Sequence, residues 1–595
     1  MDNPPKSSTP LYQSISDYLN SIPSDHPLQI SLRTYFLSLS LSLGPSLLPF
    51  ILSQKTRRKG GFTALKHVLK REFGVSGFAF AMTAGVGGGA ALKRLFDTFE
   101  DNEPSSNPDS QNSIQLTSAF RRFISKLSPT QKTFLANIIS SFISISLLQL
   151  PQRSKTNNNQ CSLHSVPKRS SIPLTSPLSE STRGRTSATL DLTLLLLVRA
   201  LDSVFRSAVL PSSYRSKAGD VGVDGIGVEE NEEMRKQKRQ ALTRKVDAIV
   251  FWACSARIMW CFFYEPQRLP RSYNKWIMSI ANIDPRILSA LRAIRADKWS
   301  YTQRRSDPAD LVTTFSKDLG YPAAWGDPKI LPPYGGEGAT KVWEALGVQG
   351  RNAVGGLPCE IVHGGLAGHN CYANAGVRGL KAFGEALAIY LPVHVLPILL
   401  TRPQKLLQLS TLLSTLLNIL RSASFLSTFV SSIWFTVCFT RTIFLAKLFP
   451  WISHDFWDGP FGCTFLGSLV CGSSIWIEQG RRRGEMALYV LPRAIRACLS
   501  EKWLKSGKRS VKFAERLTFV LSLAILLTSS SHAPDSLRGL SRWTLAFVMK
   551  GPSNGFWKTK RKDTGTPSTP TESTEPSKKS DEVVEKLGHS LDTLN

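Results

Sequence analysis

Four side chains with ligand or nucleophile chemistry crowd into one short stretch: Cys359 and His363, then His369 and Cys371. Their spacing, C-x3-H-x5-H-x-C, offers two thiols and two imidazoles, donor types that tetrahedral zinc accepts. This is not one of the standard zinc-finger spacings, and Gly364, Gly365 and Gly368 give the segment a flexible backbone. Two readings follow. One is a small knuckle stabilised by zinc on Cys359, His363, His369 and Cys371. The other is a tight loop whose Cys and His pack against membrane helices. A catalytic Cys/His pair is less well founded, because no third orienting group or oxyanion device accompanies it. The other cysteines, Cys161, Cys254, Cys261, Cys438, Cys463, Cys471 and Cys498, form no CxxC pair. Several sit in apolar runs, where cysteine is a small hydrophobe. Nine cysteines in 595 residues are too few for a disulfide scaffold. There is no Walker loop, dinucleotide fingerprint or zincin helix, and Gly85–Gly89 lacks the Lys-Ser/Thr of a phosphate cradle. The expectation is a protein that is not an enzyme and that carries no cofactor other than zinc.

The elements that must position these residues are apolar. Lys and Arg number 73 against 44 Asp and Glu, a formal net charge of +29. Such a charge points to nucleic acid or to an anionic membrane surface. The basic residues lie in short clusters beside apolar segments: Lys55, Arg57, Arg58 and Lys59; Arg121 and Arg122; Arg481, Arg482 and Arg483. That is the distribution that membrane spans carry. No nucleic-acid-binding motif accompanies it, so nucleic acid is not expected as a partner. Apolar runs cover Leu28–Leu52, Phe73–Leu92, Thr133–Leu150, Ala188–Phe205, Val246–Tyr264, Ala386–Leu400, Phe425–Leu445, Pro460–Ile477 and Leu517–Thr528. Phe73–Leu92 has no charge, and its glycine-rich end would be a poor helix in water. Gly85 with Gly89, and Ser468 with Gly472, form small-xxx-small pairs that let membrane helices approach closely. Met1–Pro27 has neither an apolar signal core nor an Arg-rich presequence, and the last four residues match no retrieval signal. Any targeting signal is therefore expected to be internal, and secretion is not expected.

Internal similarity organises the runs. Ser31–Leu52 aligns with Gly379–Leu400, pairing Arg33 with Lys381, Tyr35 with Phe383 and Leu48-Pro49 with Leu396-Pro397. Further on, Asp191 aligns with Glu485 and Arg199-Ala200 with Arg493-Ala494, while Val198 faces Pro492, where a kink or a helix start is expected. The repeated acid and Arg positions, Asp191, Arg199, Glu485 and Arg493, have two readings. Each Arg anchors the edge of a span, or the acid of one repeat pairs with the Arg of the other. The resulting expectation is an all-α, polytopic integral membrane protein: two homologous repeats of about four helices each, joined by a polar insertion that holds the Cys/His cluster. Its parts are a polar tail (1–27), a first repeat (28–206), a charged linker (207–245), an additional apolar helix (246–264), the insertion (265–378), a second repeat (379–503), a borderline membrane or interfacial helix (504–550) and a disordered tail (551–595). The insertion includes Trp299, Trp325 and Trp343 and reads as a water-facing segment.

Pro358-Cys359 with His363 and Cys371, then Arg378-Gly379 leading to Tyr390-Leu391-Pro392, resemble the Cys-rich region of the transmembrane protein 135 family. Gly472–Glu478, Arg482-Arg483 and Glu485–Ala494 resemble that family's C-terminal signature. The resemblance extends over roughly Leu28–Trp503. It implies a multi-pass protein of peroxisomal or mitochondrial membranes, linked to organelle dynamics and lipid metabolism and similar to the mitochondrial inner-membrane translocase channel subunits. It supplies no active-site residues. The implied partners are the lipid bilayer, further copies of the chain and other organelle membrane proteins.

Overall fold

The structure is a computed structural model; it describes chiefly residues 22–52, 66–101, 122–154, 187–209, 226–401, 408–500 and 508–551, apart from a few positions inside those ranges. The basic cluster at 55–59, the polar connectors at 102–121 and 155–186, most of the N-terminal tail and the C-terminal tail lie outside the described residues.

The fold is mostly helical. The long helices are α1 (Pro27–Leu52), α2 (Phe78–Asp101), α3 (Pro129–Ser154), α4 (Leu190–Val209) and α5 (Ile226–Tyr264). The insertion then adds α6 (Arg271–Ala281), α7 (Pro285–Arg295), a two-stranded antiparallel hairpin of β1 (Trp299–Ser300) and β2 (Arg305–Ser306), α8 (Leu311–Asp318), α9 (Glu337–Leu346) and the single turn α10 (Cys359–Val362). There follow α11 (Cys371–Thr401), α12 (Leu409–Cys438), the short α13 (Leu445–Leu448) and α14 (His454–Trp457), α15 (Cys463–Cys471), α16 (Gly480–Cys498), α17 (Arg509–His532) and α18 (Gly539–Lys550). The hairpin is the one departure from an all-α chain among the described residues. It is a two-stranded sheet of two residues per strand, with Trp299 opposite Ser306 and Ser300 opposite Arg305.

Each apolar run lies on a helix, with boundaries set by local chemistry. Asp284 caps α7, its carboxylate accepting from the Arg286 N–H, and Pro285 occupies the first turn, where its missing N–H costs nothing. Gly347 closes α9 in the left-handed conformation, φ 70°. Two expected boundaries differ. Helix α5 begins at Ile226 and takes in most of the charged stretch before Val246. Helix α16 neither starts nor breaks at Pro492 but runs through it. Among the described residues, four helical segments are long and apolar enough to cross a membrane: Pro129–Leu150, Gln237–Tyr264, Cys371–Leu396 and Leu409–Leu448. Phe73–Leu92 is not among them, although α2 stays helical through Gly85–Gly89.

Helix neighbours follow a chain: α1 packs on α2, α2 on α3, α3 on α17, α17 on α4, α4 on α16, α16 on α5, α5 on α15, α15 on α12, and α12 on α11. One apolar core is built from α1, α2, α3, α4 and α17 around Phe78, Ile145, Phe519 and Leu523. A larger one joins α5, α11, α12, α15 and α16 around Phe251, Phe262, Phe425 and Trp434. The insertion has its own core: Trp299, Tyr301, Phe315, Trp325 and Trp343 are all buried in it. The three tryptophans expected on a water-facing segment are therefore the interior of a small folded unit. The outward faces of α11 and α12 carry large apolar side chains, among them Leu391, Val393, Leu412, Leu413, Leu416 and Leu417. A water-soluble surface rarely sustains so continuous an apolar face.

Candidate functional site

The Cys/His cluster forms where the insertion meets α11 and α12. Pro358 sets the first residue of α10, and one turn later His363 ends it, so Cys359 and His363 share a face. The chain then reverses through Gly364 and Gly365 with φ of 64° and 77°, a conformation that glycine adopts without a Cβ penalty. This turn returns Cys371 as the first residue of α11. The ligand atoms of Cys359, His363 and Cys371 all lie within 4.8 Å of one another, and all three residues are buried. The two Sγ atoms are 3.9 Å apart. His363 Nδ1 lies 2.7 Å from the Gly368 carbonyl, so Nδ1–H donates there and Nε2 carries the lone pair. That Nε2 is 3.2 Å from the Sγ of Cys438, the last residue of α12.

His369, expected as the fourth member, is not there. It is exposed, and its ring lies beside Gly350. The reason is directional: two residues before an inward-facing Cys371, the chain is still on the outside of the turn. Cys438 occupies the place assigned to His369. The glycine turn is also less loose than the sequence suggests, since Arg378 fixes it. Arg378 donates to the His363 carbonyl at 2.8 Å and to the carbonyls of Ala281 and Asn282 at 2.9 Å, and it stacks on Trp434 at 3.6 Å.

Charge surrounds the cluster. Arg351 is fully buried and directs Nη1 at Cys359 Sγ (3.5 Å) and Thr442 Oγ1 (3.1 Å). Among the described residues no carboxylate forms an ion pair with it. The hydrogen bond shared with Cys371, and then burial, push the Cys359 thiol up to about 12. Burial holds His363 below the ordinary imidazole range. Next to it, Arg441 grips Asp458 in a two-point pair at 2.8 and 3.0 Å, both nearly inaccessible. Tyr301 donates its hydroxyl to Asp458 at 2.7 Å, and Asp455 accepts from Ser300, Thr302 and the Tyr301 N–H, fastening the hairpin to the 455–458 turn. Arg441 and Thr442 come from a π-helical turn, Phe439–Ile443, that continues α12. Its wider coil rotates these side chains toward the insertion.

A second polar constellation lies along α4 and α16. Arg199 donates from Nη1 and Nη2 to Glu485, each at 3.2 Å. Asp191 pairs with Arg496, not with Arg493. Arg493 instead lies over the rings of Tyr489 (3.9 Å) and Tyr273 (5.5 Å). Arg496 is one turn beyond Arg493 on a neighbouring part of the same face, which is enough to transfer the pairing. Arg199 is thus paired with the acid expected in the other repeat, while the partner of Asp191 is Arg496 rather than Arg493. Close by, Arg538 bridges Asp247 (2.8 Å) and Asp202 (3.0 Å).

The small-residue pairs face neighbouring helices. A Cβ on Gly85 would touch Ser144 at 3.0 Å, and one on Gly89 would overlap the Asn137 amide oxygen, so both glycines bring α2 close to α3. Ser468 is buried and donates to the Thr464 carbonyl at 2.7 Å, and Gly472 lies against Trp252 of α5. Sequence reasoning missed Cys438, Arg351, Arg441 and Asp458. The one available signal was Arg441 near the end of an otherwise apolar run, since an ionisable group there needs a partner.

Residues 360–499 match the family model of the N-terminal cysteine-rich region of Transmembrane protein 135. No curated protein and no solved structure matches the chain. The match is narrower than the resemblance read over Leu28–Trp503. It also takes the stretch read as a C-terminal signature, Gly472–Ala494, into the same cysteine-rich region. His363, Cys371 and Cys438, together with Glu485, Arg493 and Arg496, lie in the stretch that is similar to the cysteine-rich region of the transmembrane protein 135 family.

Proposed function

We propose that this membrane protein is a multi-pass, non-enzymatic component of the peroxisomal or mitochondrial membrane, with a transport role linked to lipid metabolism and organelle dynamics. The supporting observation is the seam between α4 and α16, where Asp191–Arg496 and Arg199–Glu485 join two sets of helices that each have an apolar core. Ionisable groups in such surroundings are costly and tend to mark pathways. In proteins built from repeats, substrates bind at the interface between the repeats.

The two-repeat reading draws support from the order of helix neighbours. Taken from either end the order is equivalent if α1 corresponds to α11, α2 to α12, α3 to α15, α4 to α16 and α5 to α17. Each repeat then has five helices rather than four, and the fifth helix of each packs among the helices of the other. The seam lies where the two sets meet. The non-enzymatic reading is supported by access: Cys359 is 2% exposed and His363 is fully enclosed, so a substrate would not reach them.

The test is reconstitution of the full chain into vesicles of peroxisome-like or mitochondrion-like lipid composition, following solute release and lipid transfer between leaflets. Movement above that of empty vesicles, lost in Arg199→Ala, supports transport. No movement in either composition, with altered organelle shape in cells lacking the protein, would assign it instead to a scaffold or tether. Imaging the tagged chain against peroxisomal and mitochondrial markers decides the organelle.

A further inference from the structure

We propose that Cys359, His363, Cys371 and Cys438 bind one soft divalent cation, Zn2+ by donor chemistry, and that this ion staples the 265–378 insertion to α11 and α12. The ligands come from three elements: the α10 turn, the first residue of α11 and the last residue of α12. Tetrahedral zinc with bonds of about 2.3 Å to sulfur and about 2.0 Å to nitrogen places its ligand atoms roughly 3.5–3.8 Å apart. The Cys359–Cys371 separation of 3.9 Å and the His363–Cys438 separation of 3.2 Å lie on either side of that value; Cys359, His363 and Cys371 form the preassembled part, their ligand atoms all within 4.8 Å of one another, and Cys438 joins it through His363. The imidazole is already oriented as a ligand. Its Nδ1–H is committed to the Gly368 carbonyl, the outer contact that fixes the tautomer of metal-bound histidines, and Nε2 faces the thiols.

Arg351 supplies an independent observation. A guanidinium that is fully buried and ion-paired to no carboxylate among the described residues calls for another anion, and Nη1 points at Cys359 Sγ from 3.5 Å. Three thiolates, a neutral imidazole and Zn2+ carry a net charge of −1, which Arg351 balances. Binding releases the three thiol protons to solvent. Thr442 Oγ1, 3.2 Å from the same sulfur, donates a further hydrogen bond to it. The donor set fits zinc better than calcium or magnesium, which take oxygen ligands.

The full chain, purified in detergent without chelator, is analysed for metal by inductively coupled plasma mass spectrometry. The expected result is about one zinc per chain. Cys438→Ser and Cys371→Ser are expected to lower zinc affinity by about tenfold or more. His369→Ala and Cys471→Ser should retain zinc as the unaltered chain does. To keep the test independent of how Cys438→Ser folds, a second measurement uses the unaltered protein: a chelator should make Cys359, Cys371 and Cys438 reactive to a small alkylating agent while leaving Cys471 unreactive. The site is overturned by a folded chain without stoichiometric metal, by full zinc retention in Cys438→Ser, by chelator-independent reactivity of the three thiols, or by a Cys359–Cys371 disulfide found by peptide mass mapping. None of these outcomes bears on transport in vesicles, so the two proposals fail separately.

Discussion

The α4–α16 pairs differ in how much of their interaction water screens. Asp191 and Arg496 are 20% and 16% exposed, whereas Glu485 is 38% exposed and its partner Arg199 14%. Breaking a buried pair by removing one member costs about 3–5 kcal/mol, because the other charge is left without a partner. An exposed pair contributes about 0–1 kcal/mol. Asp191→Arg should therefore lower steady-state protein more than Arg199→Glu does. Adding Arg496→Glu to Asp191→Arg should restore most of the loss, and adding Arg493→Glu should not, since Arg493 is committed to the Tyr489 and Tyr273 rings. Immunoblots of the single and double variants at matched expression check this. Equal rescue by the two second-site changes would refute the pairing.

Helix contacts set the next scale. The α2–α3 contact depends on glycine at particular positions rather than on glycine content. At Gly89 a Cβ would meet the Asn137 amide, while at Gly88 it would rest 3.6 Å from Ser140, an ordinary contact. Gly88→Ala should be neutral or stabilising, because alanine favours the helix by about 1 kcal/mol. Gly89→Ala should instead cost about 1–3 kcal/mol through overpacking, lowering the unfolding midpoint in detergent. The insertion should be acid-sensitive for a different reason. His454 is fully enclosed, faced by Asp458, Arg351, Arg441 and the Tyr301 ring, and burial holds its pKa well below the ordinary value. The unfolded chain therefore binds the proton more readily than the folded one, and this contribution to stability is complete above about pH 6.5 and declines as pH falls through that value. Burial alone would raise Asp458, but the charges of Arg441 and His454 and its hydrogen bonds hold it low, so its contribution declines only below about pH 4. Fluorescence of the buried tryptophans should show earlier thermal unfolding at pH 5 than at pH 7.5, with a smaller difference in His454→Gln. An unchanged pH slope in that variant would exclude His454 as its source.

At the scale of the molecule, the four helices able to cross a membrane among the described residues and the apolar outer faces on α11 and α12 predict retention in the pellet after alkaline carbonate washing. Peripheral association would release the chain instead. Under limited proteolysis of detergent-solubilised protein, the insertion should survive as a compact fragment, because its tryptophans form a core of their own. Rapid cleavage throughout 265–358 would contradict that packing.

Apolar periodicity and run length determined by themselves that helices occupy every apolar segment and that several are fit for a membrane, because helix formation and lipid compatibility are properties of contiguous residues. The spacing of Cys359, His363 and Cys371 was legible for the same reason: one turn of helix and one glycine reversal join them locally. Tertiary structure decided whatever depends on elements far apart in sequence. It brought Cys438 to the cluster in place of His369, gave Asp191 to Arg496 rather than Arg493, and buried Trp299, Trp325 and Trp343 inside the insertion. It also placed α17 between α3 and α4, and α5 between α15 and α16. Chain order does not encode such adjacency. Several helices could fill each slot with similar apolar area, and the choice falls to side-chain shape and to which buried charges find partners.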